Sequence, residues 1–89
     1  MMLIEKRLII KNEQGLHARP AALFVQIANK YESDVMVQKD KDEVNGKSIM
    51  GLMTLAAEKG SKISLKVNGP DAKEALNELE KVISGEKTG

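Results

Sequence analysis

Ile63, Leu65 and Val67 alternate with Ser64 and Lys66, and the turn-forming Asn68-Gly69-Pro70 leads from them directly into a helix-spaced apolar stripe. A two-residue period puts the three aliphatic side chains on one face of a strand and leaves the opposite face polar. Behind Asp71, which is expected to cap the final helix with Glu74 completing a variant capping box, come Ala72, Ala75, Leu76, Leu79, Val82 and Ile83. Gly85 is its natural stop. A sheet that is apolar on one side, followed by a helix that is apolar on one side, must stack the second on the first.

The rest of the chain repeats this logic. Residues 2–10 set Met2, Ile4, Leu8 and Ile10 against Glu5 and Arg7, a half-buried strand in which Lys6 is the exception. A first helix is expected over 18–30, where Leu23, Phe24, Ile27, Ala28 and Tyr31 fall at helical spacing. Val35, Met36 and Val37 mark a second strand, and the charged residues 39–43 suit a turn. A short third strand is expected around 43–47, with a turn signal at Asn45-Gly46, and a second helix over 48–59 ending before Gly60. The order is strand, helix, strand, strand, helix, strand, helix: one α+β domain over residues 1–89, four strands with three helices on one face. Only 86–89 read as loose.

Composition narrows the function. With 14 basic and 13 acidic residues, the net charge of +1 offers no bulk field for nucleic acid, and Phe24 and Tyr31 are too few for a base-stacking platform. Cysteine is absent and there is a single histidine, so a metal site or any metal cofactor is not expected. Glu5, Lys6 and Arg7 interrupt the N-terminal stretch, which fails as a signal peptide, and no run approaches a membrane span. The expectation is a complete, cytoplasmic protein without membrane insertion.

The single histidine, His17, lies in Gly15-Leu16-His17-Ala18-Arg19-Pro20-Ala21-Ala22, where a helix should begin. Pro20 suits a first helical turn, and alanines follow. Free N–H groups and the positive end of the helix dipole favour an anion there, including one attached to the imidazole itself. Arg19 adds a guanidinium able to hold phosphate oxygens. The combination reads as a nucleophilic histidine that accepts a phosphoryl group, against the plainer reading of a helix-flanking polar residue.

A second segment, Val44-Asn45-Gly46-Lys47-Ser48-Ile49-Met50-Gly51-Leu52-Met53, has Ser48 as a helix N-cap with an unusually apolar run behind it. Lys41 stands where a phosphate-binding P-loop would require its first glycine, so that reading fails. Leu52 and Leu55 are expected in the core, whereas Ile49, Met50 and Met53, flanked by Lys47, are candidates for an exposed docking patch.

Together these segments resemble the HPr family, the histidine-containing phosphocarriers of the bacterial sugar phosphotransferase system, over nearly the whole chain. The resemblance implies an open-faced β-sandwich with an antiparallel sheet. It implies that His17 accepts a phosphoryl group through Nδ1 from enzyme I, itself charged by phosphoenolpyruvate, and passes it to sugar-specific enzyme IIA domains. It further implies that Ser48 is a regulatory phosphorylation site, with an HPr kinase/phosphorylase and a catabolite-control transcription regulator as additional partners. Such a protein is a carrier, not a stand-alone enzyme. Two alternatives stand beside it: a regulatory phosphoserine protein acting as a corepressor, although the regulatory paralogue lacks the active histidine, and a small adaptor in which both motifs serve only folding. The chain departs from familiar members at Gln14, where serine is frequent, and at Gly46, where leucine or alanine is common. The second change is expected to loosen the approach to Ser48.

Overall fold

The computed structural model describes residues 2–86. Its elements are β1 (Met2–Ile9), α1 (Ala18–Ala28), β2 (Asp34–Lys39), β3 (Asp42–Asn45), α2 (Ile49–Leu55), β4 (Lys62–Gly69) and α3 (Ala72–Ile83). The strands form one antiparallel sheet in the order β1-β4-β2-β3. This is the expected α+β arrangement, with α3 on β1 and β4, α2 against β3, and α1 packed on both helices.

Register explains the two faces. Ile4 pairs with Val67 and Leu8 with Ile63, while Val35 pairs with Val67 and Val37 with Leu65, so the aliphatic rows of three strands coincide beneath the helices. Phe24, Ile27, Leu52, Leu79 and Ile83 close the core from above. Met2, expected on the inner face, is half exposed because the strand ends there opposite Gly69, which has no side chain to pack on. Lys6 lies opposite Leu65 in the inner row of an edge strand, and its ammonium reaches Glu80 of α3 at 2.9 and 3.0 Å.

Helix ends differ from the sequence expectation for identifiable reasons. Helix α1 stops at Ala28, because Lys30 and Tyr31 donate to Ile27 and Ala28 in tightened i→i−3 turns. Strand β3 stops at Asn45, whose side-chain oxygen accepts the Lys47 N–H at 2.8 Å. Helix α2 ends four residues early: Ala56 adopts a left-handed conformation at φ +53°, and residues 56–61 turn away to bond other segments. Asn68 and Gly69 continue β4, so the turn falls at Pro70 and Asp71. Gly85, at φ +83°, follows α3 as expected, and the expected looseness of 87–89 lies outside the described residues.

Asp71 does not cap α3 with its side chain. Its carboxylate accepts instead from the N–H groups of Glu32 and Ser33, both at 3.0 Å, and from the Ser33 hydroxyl at 2.5 Å. These donors, the Ser33 hydroxyl foremost, hold the Asp71 carboxyl below the usual carboxylate range. The expected capping box is thus replaced by a clasp between α3 and the chain entering β2. Gly69 permits the approach, since a Cβ there would overlap the Ser33 backbone and side chain.

Candidate functional site

The segment carrying His17 is bolted to the segment after α2. Gly15, at φ +63°, lies so close to it that a Cβ would sit 2.5 Å from the Ala57 carbonyl oxygen and 2.9 Å from the Glu58 Cα. Leu16 then donates its N–H to the same Ala57 oxygen at 2.8 Å and buries its side chain completely. With Leu16 pinned inward, His17 faces solvent.

His17 occupies the N-cap position of α1 in extended conformation (φ −101°, ψ −179°), and its side chain makes no capping bond. The first helical bond runs from the Ala21 N–H to the His17 carbonyl at 2.9 Å. Pro20 has no N–H, which leaves the Ala18 and Arg19 N–H groups at the open end of the helix. The exposed Arg19 side chain is there as well. An exposed imidazole, two backbone donors and a guanidinium thus share one helix terminus. Gln14 is also exposed, one residue before Gly15.

Ser48 caps α2, its hydroxyl oxygen accepting the Gly51 N–H at 3.0 Å. Helices α1 and α2 run in opposite directions: the start of α1 abuts Ala57 beyond the end of α2, while Lys47, just before α2, donates its ammonium to the Tyr31 carbonyl beyond α1 at 2.8 Å. Ser48, just before α2, and His17, whose segment abuts Ala57 beyond its end, therefore lie toward opposite ends of this seven-residue helix. Ile49, Met50 and Met53 are 40%, 71% and 43% exposed along the intervening helix, and Leu52 and Leu55 are buried. Lys47 is half-buried and occupied by Tyr31, a support at the edge of this apolar strip.

Gly46 does not loosen the approach to Ser48. It is buried, donates to the Val35 carbonyl at 2.7 Å, and a Cβ there would lie 2.5 Å from Val35 Cγ1 and 3.1 Å from Phe24 Cε1. In this chain Phe24 and Val35 fill the space that a side chain at position 46 would need.

The family described as "PTS HPr component phosphorylation site" matches residues 4–85. The chain belongs to the HPr family. Similarity to individual HPr proteins is extensive. HPr-like protein Crh of Halalkalibacterium halodurans is 51% identical over 77 residues, covering 86% of this chain and 92% of that protein. Phosphocarrier protein HPr of Treponema pallidum is 45% identical over 80 residues, 90% of this chain and 91% of that protein. The crystal structure of phosphocarrier protein HPr from Bacillus anthracis superposes with a TM-score of 0.88 at 47% identity, covering 91% of this chain and 96% of that one. HPr-family phosphocarriers act in the phosphotransferase system, and this chain shares their fold in full, including the βαββαβα order.

Sequence reasoning did not find the contact of Gly15 with Ala57, which joins residues far apart in the chain. The only local signal for it is a glycine two residues before the histidine. Among the described residues, no helix is long and apolar enough to cross a membrane.

Proposed function

We propose that His17 is the phosphoryl acceptor of a cytoplasmic carrier that loads from enzyme I, charged by phosphoenolpyruvate, and unloads to enzyme IIA domains. The observation carrying this reading is the exposed, uncapped imidazole at the open N-terminus of α1, with the Ala18 and Arg19 N–H groups beside it. A nitrogen of the neutral ring attacks the phosphorus; the N–P bond forms as the donor's bond to phosphorus breaks, and the departing electron pair returns to the donor. The dianionic product lies where helix N–H groups and the Arg19 guanidinium favour negative charge. Because the imidazole is exposed, a protein acceptor can approach the same phosphorus for the second transfer. The apolar strip of Ile49, Met50 and Met53 supplies the docking surface.

Ser48 supports a second, regulatory role, favoured by the 51% identity with an HPr-like protein Crh. Phosphate there adds about 1.5 to 2 negative charges at the start of α2, where the helix tolerates them. The consequence falls on partners that dock over Met50 and Met53: a kinase/phosphorylase writes the mark, and acidic partners are repelled while a basic regulator is recruited.

Intact-mass spectrometry after incubation with phosphoenolpyruvate and enzyme I tests the carrier reading. Wild type should gain one acid-labile phosphoryl group and His17→Ala none; equal gain by both would refute His17 as the acceptor.

A further inference from the structure

We infer that Asn12 is a positioning residue for the loop that carries His17, a role that rests on His17 being the phosphoryl acceptor. Asn12 is 7% exposed, and its Nδ2 donates to the Val82 carbonyl at 3.3 Å. Its neighbour Lys11 donates its backbone N–H to the Ile83 carbonyl at 2.9 Å. Both acceptors belong to the last turn of α3, and the Val82 carbonyl also accepts the Gly85 N–H at 3.2 Å. The loop leading to His17 thus adds two donors to the end of α3 beside those of Ser84 and Gly85, with Asn12 reaching it from 70 residues away in sequence.

The same residue starts the turn towards the histidine. The Asn12 carbonyl accepts the Gly15 N–H at 3.3 Å, closing residues 12–15, and Leu16 is then fastened to Ala57. Asn12 is thus the joint between two anchors, α3 behind it and the segment after α2 ahead of it.

Its side chain behaves unlike that of an ordinary turn asparagine. Such a residue bonds its side-chain oxygen to a backbone N–H two residues on. Here Oδ1 is buried without a hydrogen-bond partner, and the amide is spent on Val82. Flipping the amide would set its oxygen against the Val82 carbonyl, so no orientation satisfies both ends. A small apolar residue would fill the site without an orphan acceptor. What the amide adds is a directional bond that fixes the loop's exit angle towards His17, and phosphoryl transfer is sensitive to the placement of its nucleophile.

The test compares wild type, Asn12→Ala and Asn12→Leu as full-length proteins, loaded by enzyme I and phosphoenolpyruvate, with intact mass, steady-state kinetics and the unfolding midpoint as readouts. The alanine variant should keep its midpoint, because losing the orphan oxygen offsets losing the bond to Val82. Its kcat for loading should fall about ten- to a hundredfold with KM unchanged, since the apolar strip on α2 is untouched. Asn12→Leu keeps the volume without the donor or a buried charge, should show the same loss, and decides the matter if the alanine variant does not fold. Wild-type kcat in the variants, a change confined to KM, or a loss that merely tracks the folded fraction would each overturn the role of Asn12. Failure of wild type itself to gain an acid-labile phosphoryl group would instead overturn the carrier reading, and this role with it.

Discussion

Replacing Gly15 by alanine should be among the most damaging single-methyl changes in this protein, and Gly60→Ala provides its control. Both glycines have positive φ, +63° and +92°, so both substitutions force alanine into backbone space it avoids, at about 1–2 kcal/mol. They differ in what the new methyl meets. At Gly60 nothing lies within 4 Å, whereas at Gly15 the methyl would stand 2.5 Å from the Ala57 oxygen and 2.9 Å from the Glu58 Cα. Both obstacles are backbone, which cannot rotate aside, so overpacking adds about 1–3 kcal/mol. Displacing the Ala57 carbonyl also weakens its bond from Leu16, worth about 1 kcal/mol. The expected loss is about 2–6 kcal/mol for Gly15→Ala against about 1–2 for Gly60→Ala. For a domain whose total stability is on the order of 4–13 kcal/mol, the first is a large fraction. Urea unfolding with matched m-values measures the difference as a shift in midpoint. A Gly15→Ala midpoint no lower than that of Gly60→Ala would refute the claim that the loop bearing His17 is fastened by close backbone contact.

Ser48→Ala should cost about 0.5–2 kcal/mol in thermal unfolding by removing the hydroxyl that accepts from Gly51, while Ser48→Asp should keep most of that stability. Arg19→Ala, at an exposed position, should leave unfolding within about 0.5 kcal/mol of wild type yet slow phosphoryl transfer measured by rapid quench. Met50→Glu, at 71% exposure, should be equally silent in unfolding and should weaken binding of enzyme I by calorimetry. The Asp71 carboxyl has a lower pKa folded than unfolded, so its contribution to stability is complete above the unfolded value near 3.9 and disappears as pH falls through the folded value. Asp71→Asn should accordingly flatten the acid limb of stability against pH, checked by urea titrations from neutral pH downward.

Local patterns were legible where a residue's role depends on its near neighbours. The alternation of Ile63, Leu65 and Val67 located β4 and its buried face, and the spacing from Ala72 to Ile83 located α3. The glycine-to-proline run around His17 located the start of α1. The pattern failed at Asp71, where the local capping rule competes with donors 38 and 39 residues away, and the distant donors win. It failed again at the end of α2, since nothing near Ala56 announces that Ala57 must meet Leu16. At Gly46 a family comparison suggested looseness, whereas the packing of Phe24 and Val35 makes the missing side chain a fit. Such contacts depend on which segments the fold brings together, information that spacing does not contain.

The ammonium of Lys6 has a consequence for how these molecules behave when crowded. β1 is one of the sheet's two outer strands, and a neighbouring copy laying its own strand alongside would extend the apolar layer past that point. The layer it would meet contains a cation already committed to Glu80, and covering the pair would strip water from both charges. The open margin of the sheet thereby carries a charge that discourages permanent stacking.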